Sequence, residues 1–595
     1  MKKYIIYIPF IAIAFTACKK SDLDRLPQTS ISPTVFFNSE SDLSLYTTGL
    51  LSMPDRWNYV GEQSSDNVAT TANVEVKNVM AGKATSQNIT SGWDWGRLRD
   101  INYFLENYNR AKVSADIKNH YAGLARYYRA QFYLDKVKRF SDVPWYSGTL
   151  NPGDQALFKA RDPRALVMDS VMADLAFAYQ HVREDVPTGT PGKWAVATFY
   201  VRAALYEGTY RKYHSELNLT STANTFLATS VKVAGDMMAS GKFSIYNTGK
   251  PDQDYAALFG SQDLTGNKEV ILANMFDMKL GVSEAINGYV FGDYEQAPAK
   301  DLIQSYLMKD GSRYTDQPNY ATKSFVQEFQ NRDPRLSQTI AYPGWIQVPN
   351  TTPYIQKLSK SFPGYHQLKG FVNSTDQATQ NGVDFPVYRY AEVLLSYAEA
   401  LAELGTLTQQ QLDASVNLIR KRAGMPDLNM AQANASPDPL LQQQFSNVTS
   451  NVGVILEIRR ERRVEFAFES TRFDDLMRWK AGKLLTKSPE GIYFAGLGKY
   501  DLTGDGIPDI ILIDQSATVP AEDQKEKNAL GVTLVYYRAG TFASDATVSL
   551  KDVNTGSAIV TESAVRDFQE PKYYYRPIPQ QQVLLNPNLK QIFGW

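Results

Sequence analysis

The chain has 595 residues, 62 Lys+Arg against 63 Asp+Glu, a 43% hydrophobic share and a single cysteine. That apolar share excludes a disordered chain, and the near-neutral charge leaves no basic footprint for nucleic acid. One cysteine excludes an internal disulfide and a cysteine-rich metal site.

The N-terminus reads as a targeting segment. Lys2 and Lys3 precede a mostly apolar run, Tyr4 to Phe15, that is shorter than the roughly 20 residues of a membrane span. It ends Phe15-Thr16-Ala17-Cys18, small residues and then the only cysteine, the pattern of a bacterial lipobox. The expectation is removal of residues 1–17, lipid on Cys18, and a polar tether over 18–40. Several acyl chains on one cysteine would anchor the chain to a membrane without spanning it. No later stretch approaches the ~18 uninterrupted apolar residues of a membrane helix.

Helical periodicity dominates 41–246. Ile117, Tyr121, Leu124, Tyr128 and Phe132 recur every three or four residues, behind Ser114 as an N-cap. Further runs over Arg164–Val182, Ala195–Tyr213 and Ala223–Ser240 are rich in small residues at contact positions. Such residues let paired helices approach closely. The expected class is mostly α: a tetratricopeptide-like helical array with a loop-rich segment and short strands. That segment, 247–384, is rich in Gly, Pro, Asn and aromatic residues. Helix returns over Tyr390–Leu404, Leu412–Arg422 and a long span from Val454 to Ala481, closed by Gly405, Gly424 and Gly482. The long helix carries Glu457, Glu461, Glu465 and Glu469 at spacing four among arginines. Two readings stand: a carboxylate cluster for chemistry, or a salt-bridged helix locking the array together. The second is favoured, with pairs Glu457–Arg460, Arg462–Glu465 and Glu469–Arg472.

Strand formers cluster in 488–569, at Ile510–Ile513 and Val532–Tyr537. Between them, Asp501-Leu502-Thr503-Gly504-Asp505-Gly506-Ile507-Pro508-Asp509 has the start of a calcium-loop pattern. Asp501, Thr503, Asp505, Ile507 (by its carbonyl) and Asp509 are the candidate ligands of a structural calcium. A Gly/Asp turn between strands is the alternative, because position 12 is Leu512 and not Glu.

Several segments in order resemble the SusD/RagB family of outer-membrane lipoproteins. They are the Phe36-Phe37 pair, Ser64-Ser65-Asp66-Asn67, Arg129-Ala130 through Phe140-Ser141-Asp142-Val143-Pro144, and Arg389-Tyr390-Ala391-Glu392-Val393-Leu394-Leu395. Ile458 to Glu469 with Arg472-Phe473-Asp474-Asp475-Leu476, and Pro577-Ile578-Pro579, complete the set. The ending Gln591-Ile592-Phe593-Gly594-Trp595 departs from the family's pattern. The stretch between Trp479 and Tyr573 is also longer than the family leads one to expect. Residues 385–595 would form the family's C-terminal region, with 488–569 as a β-rich insertion.

The resemblance implies a non-catalytic, lipid-anchored protein of the outer-membrane surface. It would bind glycan and deliver it to a SusC-like TonB-dependent transporter. A peptide-binding RagB-like protein and a surface glycoside hydrolase are the alternatives. Sugar recognition needs flat aromatic faces and polar groups for hydroxyls. Ser91-Gly92-Trp93-Asp94-Trp95-Gly96-Arg97 offers Trp93, Trp95 and Arg97. Asp66 and Asn67 lie on a loop that the resemblance turns toward ligand. Tyr289, Tyr294, Tyr342 and Trp345 come from the loop-rich middle. The four histidines, His120, His181, His214 and His366, are far apart, and no nucleophile-elbow or P-loop motif is present.

Overall fold

The structure, a computed structural model, describes residues 36–291, 296–359, 363–374 and 381–595. The expectations for the leader, Cys18 and most of the tether lie outside these residues, as does Tyr294.

The helices that carry the architecture are α1 (Glu40–Gly49), α2 (Gly96–Asn107), α3 (Ala115–Phe140), α4 (Arg164–His181), α5 (Lys193–Tyr213) and α6 (Ala223–Ala239). Ser114 does cap α3, accepting from the Ile117 amide. Consecutive helices pack as hairpins, α3 on α4, α4 on α5 and α5 on α6. Glycine sets the approach at the α5–α6 contact. A Cβ on Gly208 would lie 2.9 Å from Leu227 Cδ2 and 3.0 Å from the Leu227 backbone nitrogen. Helix α7 (Tyr390–Leu404) continues the array against α6 and is closed by Gly405 at φ 76°.

The loop-rich middle holds short strands together with short helices that the sequence reading missed, among them Asp254–Ala257, Ile286–Val290, Lys300–Ser305 and Arg335–Thr339. Strand β1 (Val68–Thr70) pairs with β3 (Gln296–Pro298), and β2 (Val270–Asn274) pairs with β4 (Phe385–Arg389), both antiparallel. In 488–569, β5 (Glu490–Phe494) pairs with β10 (Ser557–Val560). Strands β6 (Gly498–Tyr500), β7 (Ile510–Asp514), β8 (Val535–Gly540) and β9 (Val548–Ser549) form a four-stranded sheet, parallel from β7 to β9. Two main cores result. One lies along the helical array; the other joins Ile286, Leu302, Tyr306 and Leu336 to Ile492, Ile510 and Leu512 under the β-rich part.

Two expected helices are interrupted. Leu412–Arg422 divides at Ala414–Ser415 into Gln409–Asp413 and Val416–Arg422. The long helix divides into α8 (Val452–Glu465) and α9 (Arg472–Arg478), with Phe468 and Ser470 at positive φ. The cause is competition for backbone groups. The Glu465 carbonyl, which would accept from the Glu469 amide, accepts instead from Tyr255 Oη (2.7 Å), Arg389 Nη2 (2.9 Å) and Lys369 Nζ (3.3 Å). The Ser470 amide donates to Glu62 Oε2 at 3.1 Å.

The glutamate row locks the fold, though not through all the expected pairs. Glu457–Arg460 forms at 2.8 Å. Arg462 turns to Asp475 and Glu399, and Arg472 to Asp66. Glu465 accepts from Arg335, Arg389 and Arg422, and Glu469 from Arg389 and Lys369.

Candidate functional site

The sequence-selected residues separate into groups. The first is the Trp-Asp-Trp loop ahead of α2. Trp93 and Trp95 meet edge to face at 5.4 Å, with Phe140 against Trp93 (4.9 Å) and Tyr146 against Trp95 (5.5 Å). Lys136, from α3, reaches under the loop. Its Nζ donates to the carbonyls of Gly92 and Asp94, both at 2.5 Å, and lies 5.2 Å from the Trp95 ring centre. Burial lowers its pKa to about 8. Arg139 donates to the Ser91 carbonyl while pairing with Glu75, which Arg576 also holds. The loop is therefore fixed by cations from α3 and from the C-terminal segment.

The two tryptophans form one wall of a cleft of about 540 Å³, closed by Tyr146, Leu157, Phe158 and Leu585. Leu585 belongs to α10 (Gln580–Leu585). Arg97 does not line it; its Nη2 donates to the Leu50 carbonyl at 3.3 Å.

Asp66 and Asn67 are engaged inside the protein and are not presented to a ligand, which corrects the expectation for them. Both Asp66 carboxylate oxygens accept from Arg472 (2.7 and 2.8 Å), and Arg463 pairs with it as well. These arginines hold the Asp66 carboxyl well below the usual carboxylate range against the opposing effect of burial. Asn67 is fully buried, accepting from Arg463 Nε and donating to Glu62. The Ser-Asp-Asn motif thus ties the N-terminal loop to α8 and α9.

A third group is an aromatic surface at the loop before the short helix Trp57–Val60. Trp57 is 48% exposed and meets Tyr289 edge to face at 4.9 Å. The Arg56 guanidinium lies 5.0 Å from the Tyr289 ring centre and 5.5 Å from that of Trp57, held by a 2.6 Å ion pair with Glu284. Asn274 Nδ2 donates to the Pro54 carbonyl, fastening this loop to the end of β2. Trp345, by contrast, is buried and packs on Phe291 (5.1 Å), Tyr354 (5.7 Å) and Phe371 (6.2 Å). Tyr342 is half-buried, and its carbonyl accepts from the Trp345 amide in a turn. Tyr289 was among the candidates read from the sequence, and its neighbour Trp57 was not. Its only local signal is the Pro54-Asp55 turn before it, and its partner Tyr289 is remote in sequence.

In the 501–509 turn the carboxylates accept hydrogen bonds from the turn's own backbone and from Thr503. Asp501 accepts from the Gly504 and Gly506 amides (2.6 and 2.9 Å), and Asp505 from Ile507 N (2.8 Å). Asp509 accepts from the Leu502 and Thr503 amides and from Thr503 Oγ1. Among the described residues no group of three His, Cys, Asp or Glu side chains could hold a metal ion. The turn's carboxylates accept from its own amides, an arrangement common to a Gly/Asp turn and to a calcium loop.

Among the described residues no helix is long and apolar enough to cross a membrane. The model of the SusD family matches residues 268–595, and the chain belongs to that family. It is 22% identical over 518 residues to SusD-like protein P2 of Formosa agariphila, covering 81% of this chain and 92% of that one. A solved SusD-like carbohydrate-binding protein of Bacteroides fragilis superposes with a TM-score of 0.67 at 24% identity, over 93% of this chain and all of that chain. A structure with xylogluco-oligosaccharide superposes at 0.55 with 16% identity, over 93% of this chain and 98% of the other.

Proposed function

We propose that this protein captures glycan at the cell surface and passes it to a SusC-like TonB-dependent transporter, without catalysis of its own. Cys18 would carry the lipid that holds it on the outer membrane. The observation that supports this best is the exposed Trp57 face beside Tyr289, with Arg56 fixed between the rings and Glu284. A sugar ring needs an apolar face for its axial C–H groups and charged or polar neighbours for its hydroxyls. Family membership and the sugar-binding description of one structural relative support the same reading.

The test is affinity electrophoresis against a glycan panel that includes xylogluco-oligosaccharides, followed by calorimetry. Trp57→Ala should weaken binding tenfold or more, about 1.4 kcal/mol per tenfold, with the melting temperature unchanged. Equal affinity in the variant would reject this platform. Release of reducing ends from any bound glycan would reject a pure binder. Binding of peptides in place of glycans would move the protein to the RagB-like alternative. Cys18→Ala should shift the protein from the membrane to the soluble fraction.

A further inference from the structure

The cleft beside the Trp-Asp-Trp loop is walled mostly by apolar side chains. Its polar side chains are mostly turned to the protein. Asn102 donates to the carbonyls of Tyr146 (3.0 Å) and Gly148 (3.1 Å) and accepts from Arg129. Thr149 gives both its amide and its hydroxyl to Glu106, each at 2.7 Å. Asn586 donates to the Lys159 carbonyl and accepts from the Asn588 amide. The walls that remain are mainly Trp93, Trp95, Tyr146, Leu157, Phe158 and Leu585, with the polar Gln582 beside them. At the mouth, Leu157 is 41%, Phe158 46% and Leu585 64% exposed. Most of the surface a ligand would meet there is apolar, so an apolar body gains most from entering.

One charge faces this apolar space. Among the described residues, Arg99 is the only charged one lining the cleft, and it is exposed. Its Nη1 donates to the Leu150 carbonyl, which fixes the guanidinium at the rim. No carboxylate among the described residues lies within ion-pair distance of it. An apolar enclosure of about 540 Å³ with one fixed guanidinium is complementary to an apolar body that ends in a carboxylate.

We propose that this cleft binds a small organic acid with an aliphatic or aromatic body, at a site separate from the Trp57–Tyr289 surface. Arg99 takes the carboxylate, and Trp95, Phe158 and Leu585 enclose the body. The proposal stands independently of the glycan reading, because it uses none of the same side chains.

Decanoate, below its micellar concentration, is the probe, with decanol as its uncharged counterpart. Titration into the wild-type protein should quench tryptophan emission to saturation, because Trp93 and Trp95 form the wall. Phe158→Asp should weaken decanoate at least tenfold while glycan retention on the affinity gel stays unchanged. Arg99→Gln should weaken decanoate at least fivefold and leave decanol unaffected. Phe158 and Arg99 are both solvent-exposed, so neither change removes a core side chain. Absence of saturable decanoate binding by calorimetry overturns the proposal. So does decanol binding as tightly as decanoate. Loss of glycan retention in Phe158→Asp, with retention kept in Trp57→Ala, also overturns it and makes the cleft the sugar site.

Discussion

Glu62 shows how one side chain can impose a pH dependence on this fold. It is buried, with Oε1 accepting from Ser65 and Asn67 and Oε2 from the Ser470 amide. Burial outweighs these hydrogen bonds, and nearby Asp66 adds to it, raising the Glu62 pKa to about 7 from an ordinary 4.5. The folded state therefore binds a proton more tightly than the unfolded state. Its stabilisation is complete below the unfolded value and is lost as pH rises to about 7. The loss is on the order of 1–3 kcal/mol, at about 1.4 kcal/mol per pH unit. Denaturant midpoints should fall between pH 5 and pH 7 by an amount that Glu62→Gln removes. An identical slope in the variant would show that other groups set it. Lys136 acts differently, as a positioning residue: Lys136→Met should leave the Gly92 and Asp94 carbonyls without their buried donor and loosen the Trp93–Trp95 wall. Its readout is weaker quenching by decanoate together with a red-shifted tryptophan emission.

At the scale of elements, what the sequence reveals depends on whether the cause is local. Helices α3 to α7 were readable because their apolar residues recur at helical spacing and their ends carry local signals, Ser114 before α3 and Gly405 after α7. The break between α8 and α9 was not readable. Its causes are Tyr255, Lys369 and Arg389, all distant in the chain, which take the Glu465 carbonyl. The same holds for the site. Tyr289 was read as a loop aromatic but lies in the short helix Ile286–Val290, and Trp57 meets it only through the fold that brings the two rings to 4.9 Å. Asp66 and Asn67 carry a recognisable motif, yet their partners Arg463 and Arg472 show that the motif is a tie between elements. Helix spacing can be tested in the same terms. Gly208→Val would drive its side chain into Leu227 and the α6 backbone, so it should cost about 1–3 kcal/mol. A thermal melt checks this; an unchanged midpoint would mean that α5 and α6 can separate freely.

The whole molecule is held by a buried charge cluster at the junction of its two main cores. Glu465 sits at the end of α8 and accepts from Arg422 (2.6 Å), Arg389 (2.6 Å) and Arg335 (3.0 Å), and each of these side chains is at most 2% exposed. Arg389 stands where β4 meets α7, and Arg335 lies in the short helix Arg335–Thr339 beside the second core. Three arginines hold the Glu465 carboxyl well below the usual carboxylate range, although its burial pushes the other way. With the folded pKa depressed, the stabilisation is complete above the unfolded value of about 4.5 and is lost as pH falls toward the folded one. Acid should therefore unfold the helical array and the β-rich part together, because both depend on one carboxylate. Replacing it leaves three guanidinium groups buried with less anion to face them, and breaking a buried pair in this way costs about 3–5 kcal/mol. Glu465→Gln should lower the melting temperature in a single transition. Hydrogen exchange should speed up in α7 and in β7 alike, since the first core packs on α7 and the second on β7. Faster exchange confined to α7, with β7 unaffected, would mean that the two cores are stabilised separately and that the cluster only closes the helical array.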